Sequence, residues 1–235
     1  MSGIETNALG QPVGVLVETT LPRPRPTERP LIGRTIRADR LEPTRDAAEL
    51  FAAFAQDTTG EGWTYLPYGP FDTDAEFRAW LVSDCSHDDP LFYTYRDAVS
   101  ARVLGMGSFL RIDPAGGVIE VGHLHFAPSM QRQTAATEAM YLMMAHAFDD
   151  LGYRRYEWKC NALNAPSRRA AERLGFTYEG TFRQAGVAKG RNRDTSWYAI
   201  VDGDWPRIKA AFLAWLAPDN FDADGHQRAP LAACG

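Results

Sequence analysis

The stretch from Glu120 to Leu151 constrains the fold more than any other part of the chain. It continues a β-type segment, Val118 to Phe126, through a Pro-containing turn into a long amphipathic helix. Apolar residues in that helix recur at steps of three and four, the spacing of one buried face (Ala136, Met140, Met143, Ala147, Leu151). The turn 131–134 therefore lies at a helix N-terminus, where free N–H groups and the helix dipole favour a phosphate or pyrophosphate. A nucleotide-type cofactor needs this order of strand, turn and helix.

Composition excludes several classes of protein. A length of 235 residues predicts one domain of ordinary size, and 45% hydrophobic residues allow a substantial core. The net charge of −5 argues against a nucleic-acid-binding protein that relies on bulk positive charge. With no apolar run of 18 residues and no basic-then-apolar leader, we expect neither a membrane span nor a secretory address. Three widely spaced cysteines without a CxxC pair favour a reducing cytoplasm (Cys85, Cys160, Cys234).

The pattern divides the chain into an arm, one domain and a tail. Residues 1–30 are rich in proline and arginine, which predicts an arm that is extended on the surface or disordered. Residues 31–217 are expected to form the single domain, and the polar residues 218–235 a loose tail. Strands are predicted at 35–41, 91–96, 103–112, 118–126, 154–159, 176–187 and 195–201, with helices between and after them. Short turns join the strands from 91 to 126, which indicates antiparallel neighbours.

Two further segments carry interpretable signals. The loop 57–71 is dense in Gly, Pro and aromatic residues. Its Trp63, Tyr65 and Tyr68 are expected either to cover the core or to form a wall of a substrate pocket. Residues 164–176 predict a short helix that Asn164 caps and Gly175 ends. The basic turn 189–194 between the last two strands is a weak candidate for selecting an acidic acceptor.

The order of these elements, together with two motifs, resembles the GNAT superfamily of acyl-CoA-dependent N-acetyltransferases, and within it the ribosomal-protein-alanine N-acetyltransferase branch. The motifs are Glu120-Val-Gly with the stretch 131–139, and Asn164-Ala-Pro-Ser with Leu174-Gly-Phe-Thr-Tyr-Glu-Gly. The resemblance covers about residues 35–205. It implies an α+β fold, with a mixed, mostly antiparallel sheet of about seven strands and helices on both faces. It also implies acyl-CoA bound between two splayed central strands, which here end at Phe126 and start at Arg154.

The resemblance implies a set of cofactor contacts along the strand, the turn and the next helix (His123, Leu124, His125, Phe126, Gln131, Arg132, Gln133, Thr134, Ala135, Ala136, Asn164, Ser167, Arg169). The sequence departs from the family at the phosphate turn, where Thr134 and Arg132 stand at glycine positions. The Cβ of Thr134 limits close approach and backbone freedom. The guanidinium of Arg132 can offset this with a charge-assisted bond to a phosphate oxygen. The alternative is a solvated arginine in a turn that binds nothing.

Acyl transfer to an amine needs a base, a stabilised oxyanion and a partner for the departing thiolate. Glu120 is the first candidate for the base, against the alternative of a structural glutamate in the sheet. His123 and His125 share one face of the strand, and strand alternation places that face opposite Glu120. A structural role is favoured over a catalytic one for both histidines. By resemblance, Asn164 binds the pantetheine arm and Ser167 lies near the sulfur, although both could simply cap their helix.

These observations predict direct transfer of acetyl from acetyl-CoA to a primary amine, with no metal. The acceptor could be a small molecule, an aminoacyl compound or a protein N-terminus. Two alternatives remain open: a different donor such as succinyl-CoA, and an acyl-CoA-binding or interaction module that has lost catalysis. The aromatic-rich hairpin and the last helix are compatible with a homodimer. No nucleic-acid or membrane partner is expected.

Overall fold

The computed structural model describes residues 3–231 and is built on one eight-stranded sheet. Its strands run in the order β3-β4-β5-β6-β7-β8-β10-β9. Every neighbouring pair is antiparallel except β7 with β8, which is parallel. The mixed, mostly antiparallel sheet is therefore confirmed, with one more strand than the seven expected. The strands are β3 (Leu31–Ile32), β4 (Ile36–Arg40), β5 (Leu91–Asp97), β6 (Val103–Asp113), β7 (Val118–Phe126), β8 (Arg155–Asn161), β9 (Thr177–Ala188) and β10 (Arg191–Val201); β1 (Ile4–Thr6) and β2 (Pro12–Gly14) form a separate hairpin.

Helices cover both faces of the sheet, as expected. One face packs against α1 (Pro43–Phe54) and α2 (Asp74–Asp84), through a buried cluster that includes Phe54, Phe77 and Met106. The other face packs against α3 (Thr134–Ala145), α4 (Ala165–Arg173) and α5 (Trp205–Leu216). A wide helical turn, His146–Asp150, continues α3, and Gly152 ends it with φ 68°.

Glu138 fixes the position of α3 on the sheet. Its carboxylate is buried and accepts the backbone N–H of Arg34 at 2.8 Å and of Thr35 at 2.6 Å. The hydroxyl of Thr35 donates to the same carboxylate. Because a buried carboxylate needs such donors, the contact joins α3 to the turn between β3 and β4.

The segments at the two ends of the chain are held on the domain surface. In the arm, the backbone N–H of Arg23 donates to the carbonyl of Pro114 at 2.9 Å, and Arg29 pairs with Asp150. In the tail, Trp215 Nε1 donates to Gln227 Oε1 at 2.7 Å, and Leu231 is buried. Residues 218–231, predicted as a loose tail, thus make apolar and amide contacts with the domain in the structure. Cys234 and the rest of residues 232–235 lie outside the described part of the chain.

The turn between β9 and β10 is shorter than the sequence predicts. It spans only residues 189–190, because β10 begins at Arg191 and residues 191–193 pair with β9. The expected basic turn is therefore mostly strand.

Within residues 3–231, no helix combines the length and the hydropathy needed to cross a membrane.

Candidate active site

The parallel strands β7 and β8 separate partway along their length, and this separation creates the site. They pair from Val118 with Arg155 to Val121 with Trp158, and not beyond. β7 continues to Phe126 with only β6 beside it, while β8 continues to Asn161 beside β10. The backbone of residues 122–126 therefore presents an edge that no other described strand pairs with. An extended ligand can add to such an edge through main-chain hydrogen bonds.

A cavity of about 210 Å³ lies at the point where the strands diverge. Its walls come from β7, β8, the start of α4, the loop before α2, two residues of β6 and one residue of β10. The residues that line it are Gly62, Tyr65, Leu66, Pro67, Leu110, Arg111, Glu120, Val121, Gly122, His123, Leu124, Trp158, Lys159, Cys160, Asn161, Asn164, Ser167 and Arg193. Of the predicted site residues, the structure gathers Glu120, His123, Leu124, Asn164 and Ser167 here, together with Tyr65.

Glu120 lies in the cavity wall with its side chain only 4% exposed. Arg111 Nη1 lies 2.7 Å from one carboxylate oxygen and Lys159 Nζ lies 2.8 Å from the other. Lys159 also contacts the carboxylate of Glu157 at 2.8 Å and lies over the ring of Trp197 at 3.8 Å. Two cations therefore compensate the buried charge of Glu120, as burial of a carboxylate requires.

A β-bulge in β7 changes which face its histidines occupy. Opposite β6, Ser108 pairs with Gly122 and Met106 with His125, so β7 holds one extra residue. His123 takes the left-handed conformation there, with φ 52°. Strict alternation predicted the histidines opposite Glu120, and this is wrong: the bulge returns them to the face of α1 and α2.

The two histidines differ in surroundings although both are neutral at pH 7. His123 lines the cavity, and its Nδ1 lies 3.0 Å from the hydroxyl of Tyr68. Burial, then Arg111 and Arg193, lowers the pKa of His123 to about 4. His125 packs between Phe54 and Trp63, and burial lowers its pKa to about 4 as well. The side chain of His125 thus belongs to the aromatic core, and its contact with the cofactor stays a prediction.

Ser167 and Asn164 each keep a hydrogen-bonding group for a ligand. The indole N–H of Trp158 donates to Ser167 Oγ at 3.0 Å, which leaves the serine's own O–H free to donate. Asn164 Oδ1 caps α4 by accepting the backbone N–H of Ser167 at 3.1 Å, which leaves its Nδ2 group. Asn164 therefore both caps α4 and lines the cavity, while Ser167 lines the cavity from the first turn of α4. Burial raises the pKa of the neighbouring Cys160 thiol, against the opposing effect of Ser167; a protonated thiol is a poor nucleophile.

The predicted phosphate turn lies outside the cavity, at the start of α3. The structure begins α3 at Thr134, and no side chain caps its first turn. Its first N–H groups therefore point away from the helix without an intrahelical partner. Arg132 is exposed and left-handed, with φ 62°, while Gln131 Nε2 donates to the carbonyl of Phe126 at 3.0 Å. Gln133 is exposed, Ala135 and Ala136 are half-buried, and Arg169 is exposed on α4.

The aromatic residues of the loop 57–71 do not share one role: some cover the core and one forms part of the cavity wall. Trp63 is buried in the core among Phe54, Phe71 and His125, so it covers the core. Tyr65 lines the cavity, and its hydroxyl donates to the carbonyl of Leu163 at 3.1 Å, across the opening to α4. Tyr68 does not line the cavity, but its hydroxyl lies within hydrogen-bond distance of His123, which does.

Sequence reasoning missed two of the three cations of the cavity, Arg111 and Lys159, and included Arg193 only as part of the basic turn considered for selecting an acidic acceptor. Lys159 had a readable signal, because Arg155, Glu157 and Lys159 alternate along one face of β8. Arg111 and Arg193 each lie beside a register shift of their strand, and such shifts have no sequence signature here. For metals, the described residues offer only one cluster, formed by exposed groups of Asp222, Asp224 and His226, none of which lines the cavity.

The known proteins to which this chain is similar are acetyltransferases. Residues 37–177 match the family model described as an acetyltransferase (GNAT) domain. The crystal structure of a GCN5-related N-acetyltransferase from Brucella melitensis is 47% identical, with a TM-score of 0.89, over 92% of this chain and 97% of that one. YnaD of Bacillus subtilis, an uncharacterized N-acetyltransferase, is 30% identical over 60% of this chain and 81% of its own length. The ribosomal-protein-serine acetyltransferase of Escherichia coli is 32% identical over 43% of this chain, which spans 56% of that relative.

Proposed function

The chain belongs to the GNAT family of N-acetyltransferases, and we propose that it moves an acetyl group from acetyl-CoA to a primary amine in a ternary complex. The observation that carries this proposal is the divergence of β7 from β8, with a cavity at its apex and an unpaired strand edge leading away from it. That arrangement suits a long, extended donor whose reactive end enters the cavity.

The cleft fits the parts of acetyl-CoA in order. The pantetheine arm contains amide groups, which match the open backbone edge of residues 122–126 and the Nδ2 group of Asn164. The phosphates match the uncapped first turn of α3, where N–H groups and the helix dipole favour an anion and Arg132 adds a charge. Thr134 keeps its backbone N–H for this purpose. The thioester then lies at the bulge, between Glu120 and Ser167.

Within the cavity, Glu120 is the group we assign as general base, acting directly or through a water molecule. The acceptor amine loses its proton toward Glu120, and its nitrogen attacks the thioester carbon. As the C–N bond forms and the C–S bond breaks, the leaving thiolate accepts a hydrogen bond from the Ser167 hydroxyl, and CoA departs as the thiolate, which takes its proton from solvent. Trp158 orients that hydroxyl by donating to Oγ. His123 is the weaker candidate for the base, because its protonated form would face the cations Arg111 and Arg193.

The test is a thiol-release assay with acetyl-CoA and a panel of primary amines. Glu120→Gln is expected to lower kcat by roughly 10²-fold or more while the Kd for acetyl-CoA changes little. Glu157→Gln is the matched control, because it removes another carboxylate from Lys159 without touching the cavity wall. Unchanged turnover in Glu120→Gln would discard the base assignment. Absence of transfer to every amine by a protein that binds acetyl-CoA would overturn the proposed function in favour of a binding module.

We further propose that the protein works in a reducing compartment, the cytoplasm. The support is that Cys85 and Cys160 are both free and buried. Homodimerisation is also proposed, on the exposed apolar residues Tyr178, Phe182 and Val187 of the edge strand β9. Sedimentation of the purified chain tests it, and a monomer at micromolar concentration would refute it.

A further inference from the structure

The charges around the cavity balance except at one residue. Six side chains form a continuous ion-pair network across β6, β7, β8 and β9, with three cations and three carboxylates (Arg111, Glu120, Lys159, Glu157, Arg155, Glu179). Arg193 also lines the cavity but takes no part in the network. Among residues 3–231, no carboxylate oxygen lies within 4.0 Å of its guanidinium. The cavity therefore carries one surplus positive charge.

Arg193 is held where an incoming ligand can use that charge. It lies in β10 at a register shift, between its own pairing with Gly186 and the pairing of Thr195 with Phe182. Its Nε is buried and donates to no atom of the described chain. Buried donors in native proteins nearly always have a partner, so an unpartnered one in a cavity wall points to a ligand that supplies an acceptor. A carboxylate offers the oxygen geometry that a guanidinium prefers.

Arg111, which also lines the cavity, is held in place by a dedicated carboxylate. It is left-handed, with φ 47°, and the carboxylate of Asp89 fixes that conformation by accepting the N–H groups of Arg111 at 2.8 Å and of Ile112 at 2.9 Å. This bulge directs the guanidinium to Glu120 while its side chain stays 59% exposed. Strained backbone maintained by a dedicated carboxylate is the kind of feature that functional sites retain.

The donor's phosphates do not account for Arg193. None of residues 131–134, which begin α3, lines the cavity, and β7 extends for four further residues between Gly122 and that turn. The surplus charge thus lies at the acceptor end of the cleft.

We propose that the acceptor carries a carboxylate in the same molecule as its primary amine, and that Arg193 binds this carboxylate. The inference rests on the proposed acetyl transfer and names its substrate class. A polyamine or another acceptor with only positive charges is a poor substrate, because nothing on it pairs with Arg193. The carboxylate belongs either to a free α-amino acid or to an acidic residue next to a peptide N-terminus; the chemistry that Arg193 recognises is the same.

The experiment compares isosteric acceptor pairs in the thiol-release assay. Alanine is paired with alaninamide, and an amidated peptide with Asp at its second position is paired with the Asn peptide. The two pairs separate the free amino acid from the peptide source. For the pair that the protein uses, Arg193→Gln is expected to lower kcat/KM for the carboxylate member roughly ten- to hundredfold and to leave the amide member nearly unchanged. The two amines of a pair differ in basicity. The comparison therefore uses the change, from wild type to variant, in the ratio of kcat/KM between the carboxylate and the amide member, in which that difference cancels.

Two variants make the comparison specific. Arg193→Lys keeps the charge and is expected to restore part of the preference. Arg191→Gln removes an equal charge from an exposed position of β10 that does not line the cavity, and is expected to leave the ratio unchanged. An equal loss for both members of a pair in Arg193→Gln would overturn the proposal. So would a wild-type enzyme that uses the amides or a polyamine as well as the carboxylates.

A binding measurement separates failure of the inference from failure of the proposed function. N-acetylalanine and N-acetylalaninamide, with the corresponding acetylated peptides, are titrated calorimetrically into the protein saturated with CoA. Tighter binding of a carboxylate product, lost in Arg193→Gln, supports the inference even if no transfer is measured. Equal binding of acid and amide overturns it even if transfer occurs. If Arg193→Gln instead abolishes use of succinyl-CoA and spares the acceptor ratio, the guanidinium binds the donor and the proposal is wrong.

Discussion

Arg132 occupies the left-handed backbone region, with φ 62°, in the turn before α3. For a residue with a Cβ this conformation costs roughly 1–2 kcal/mol, whereas glycine adopts it freely and loses part of the gain through its larger unfolded-state entropy. Replacement by glycine is therefore expected to raise the free energy of unfolding by about 0.5–1 kcal/mol. In a chain of this length that corresponds to a rise of roughly 1–4 °C in Tm.

The same substitution is expected to weaken the binding of acetyl-CoA. Arg132 is exposed, and the proposed function gives it a phosphate to pair with. A solvent-exposed ion pair contributes about 0.2–1 kcal/mol, so Kd should rise by up to roughly fivefold. Stability and affinity thus change in opposite directions at one position, because the backbone favours glycine and the ligand favours arginine.

Arg132→Ala is the matched control for this prediction. It removes the charge and keeps the Cβ, so it is expected to lose the affinity without gaining the stability. Thermal unfolding and calorimetric titration with acetyl-CoA, on all three proteins in the same buffer, measure both quantities. A glycine variant no more stable than the alanine variant would refute the strain argument. Unchanged affinity in both variants would refute the role of Arg132 in binding phosphate.

Three further substitutions test the packing around the site. Glu138→Ala is expected to lower the free energy of unfolding in urea by about 2–5 kcal/mol, because it leaves the N–H groups of the β3–β4 turn without their charged acceptor. Lys159→Met is expected to cost about 3 kcal/mol, and less in a background of Glu120→Gln, since one of the two carboxylates it compensates is then neutral. Burial lowers the pKa of His125 to about 4 in the folded state, so the unfolded chain binds more protons below pH 6.5. The shift of His125 alone is therefore expected to lower stability by up to about 3 kcal/mol between pH 6.5 and 4, His123 adds a similar loss, and His125→Phe should remove only the part due to His125.

A different result would contradict each of these three predictions. Glu138→Gln loses the charge but retains an acceptor oxygen and should be milder than Glu138→Ala; equal losses would show that hydrogen bonds to a neutral acceptor contribute nothing at this position. Strict additivity of the Lys159 and Glu120 substitutions would show that the two side chains are not coupled. An identical pH dependence in His125→Phe would place the titrating group elsewhere.

The order of elements was predictable because its signals are local. Asn164 at the start of α4 and Gly175 after it act through their own backbone, so capping and left-handed geometry follow from residue type. The buried face of α3 follows from its spacing in the same way. The prediction that Glu120, Asn164 and Ser167 belong to one site came from the family resemblance of these elements, and the three residues line the same cavity.

The charge arrangement of the cavity was not predictable, because bulges determine it. One extra residue in β7 moves His123 to the face of Glu120, and register shifts in β6 and β10 bring Arg111 and Arg193 into the wall. A bulge depends on how two strands pair across the sheet, and a sequence read along one strand carries no trace of it. Trp63 shows the same limit, since only the packing of α1 decided between core and pocket wall.

The central claim is that the cleft between β7 and β8 binds acetyl-CoA, and calorimetric titration of the full chain with acetyl-CoA at moderate salt tests it most directly. We expect one binding event per chain with a micromolar Kd, weakened in Arg132→Ala. No heat of binding with acetyl-CoA, another acyl-CoA or free CoA would contradict it, and would mean that the turn containing Thr134 excludes the cofactor's phosphates.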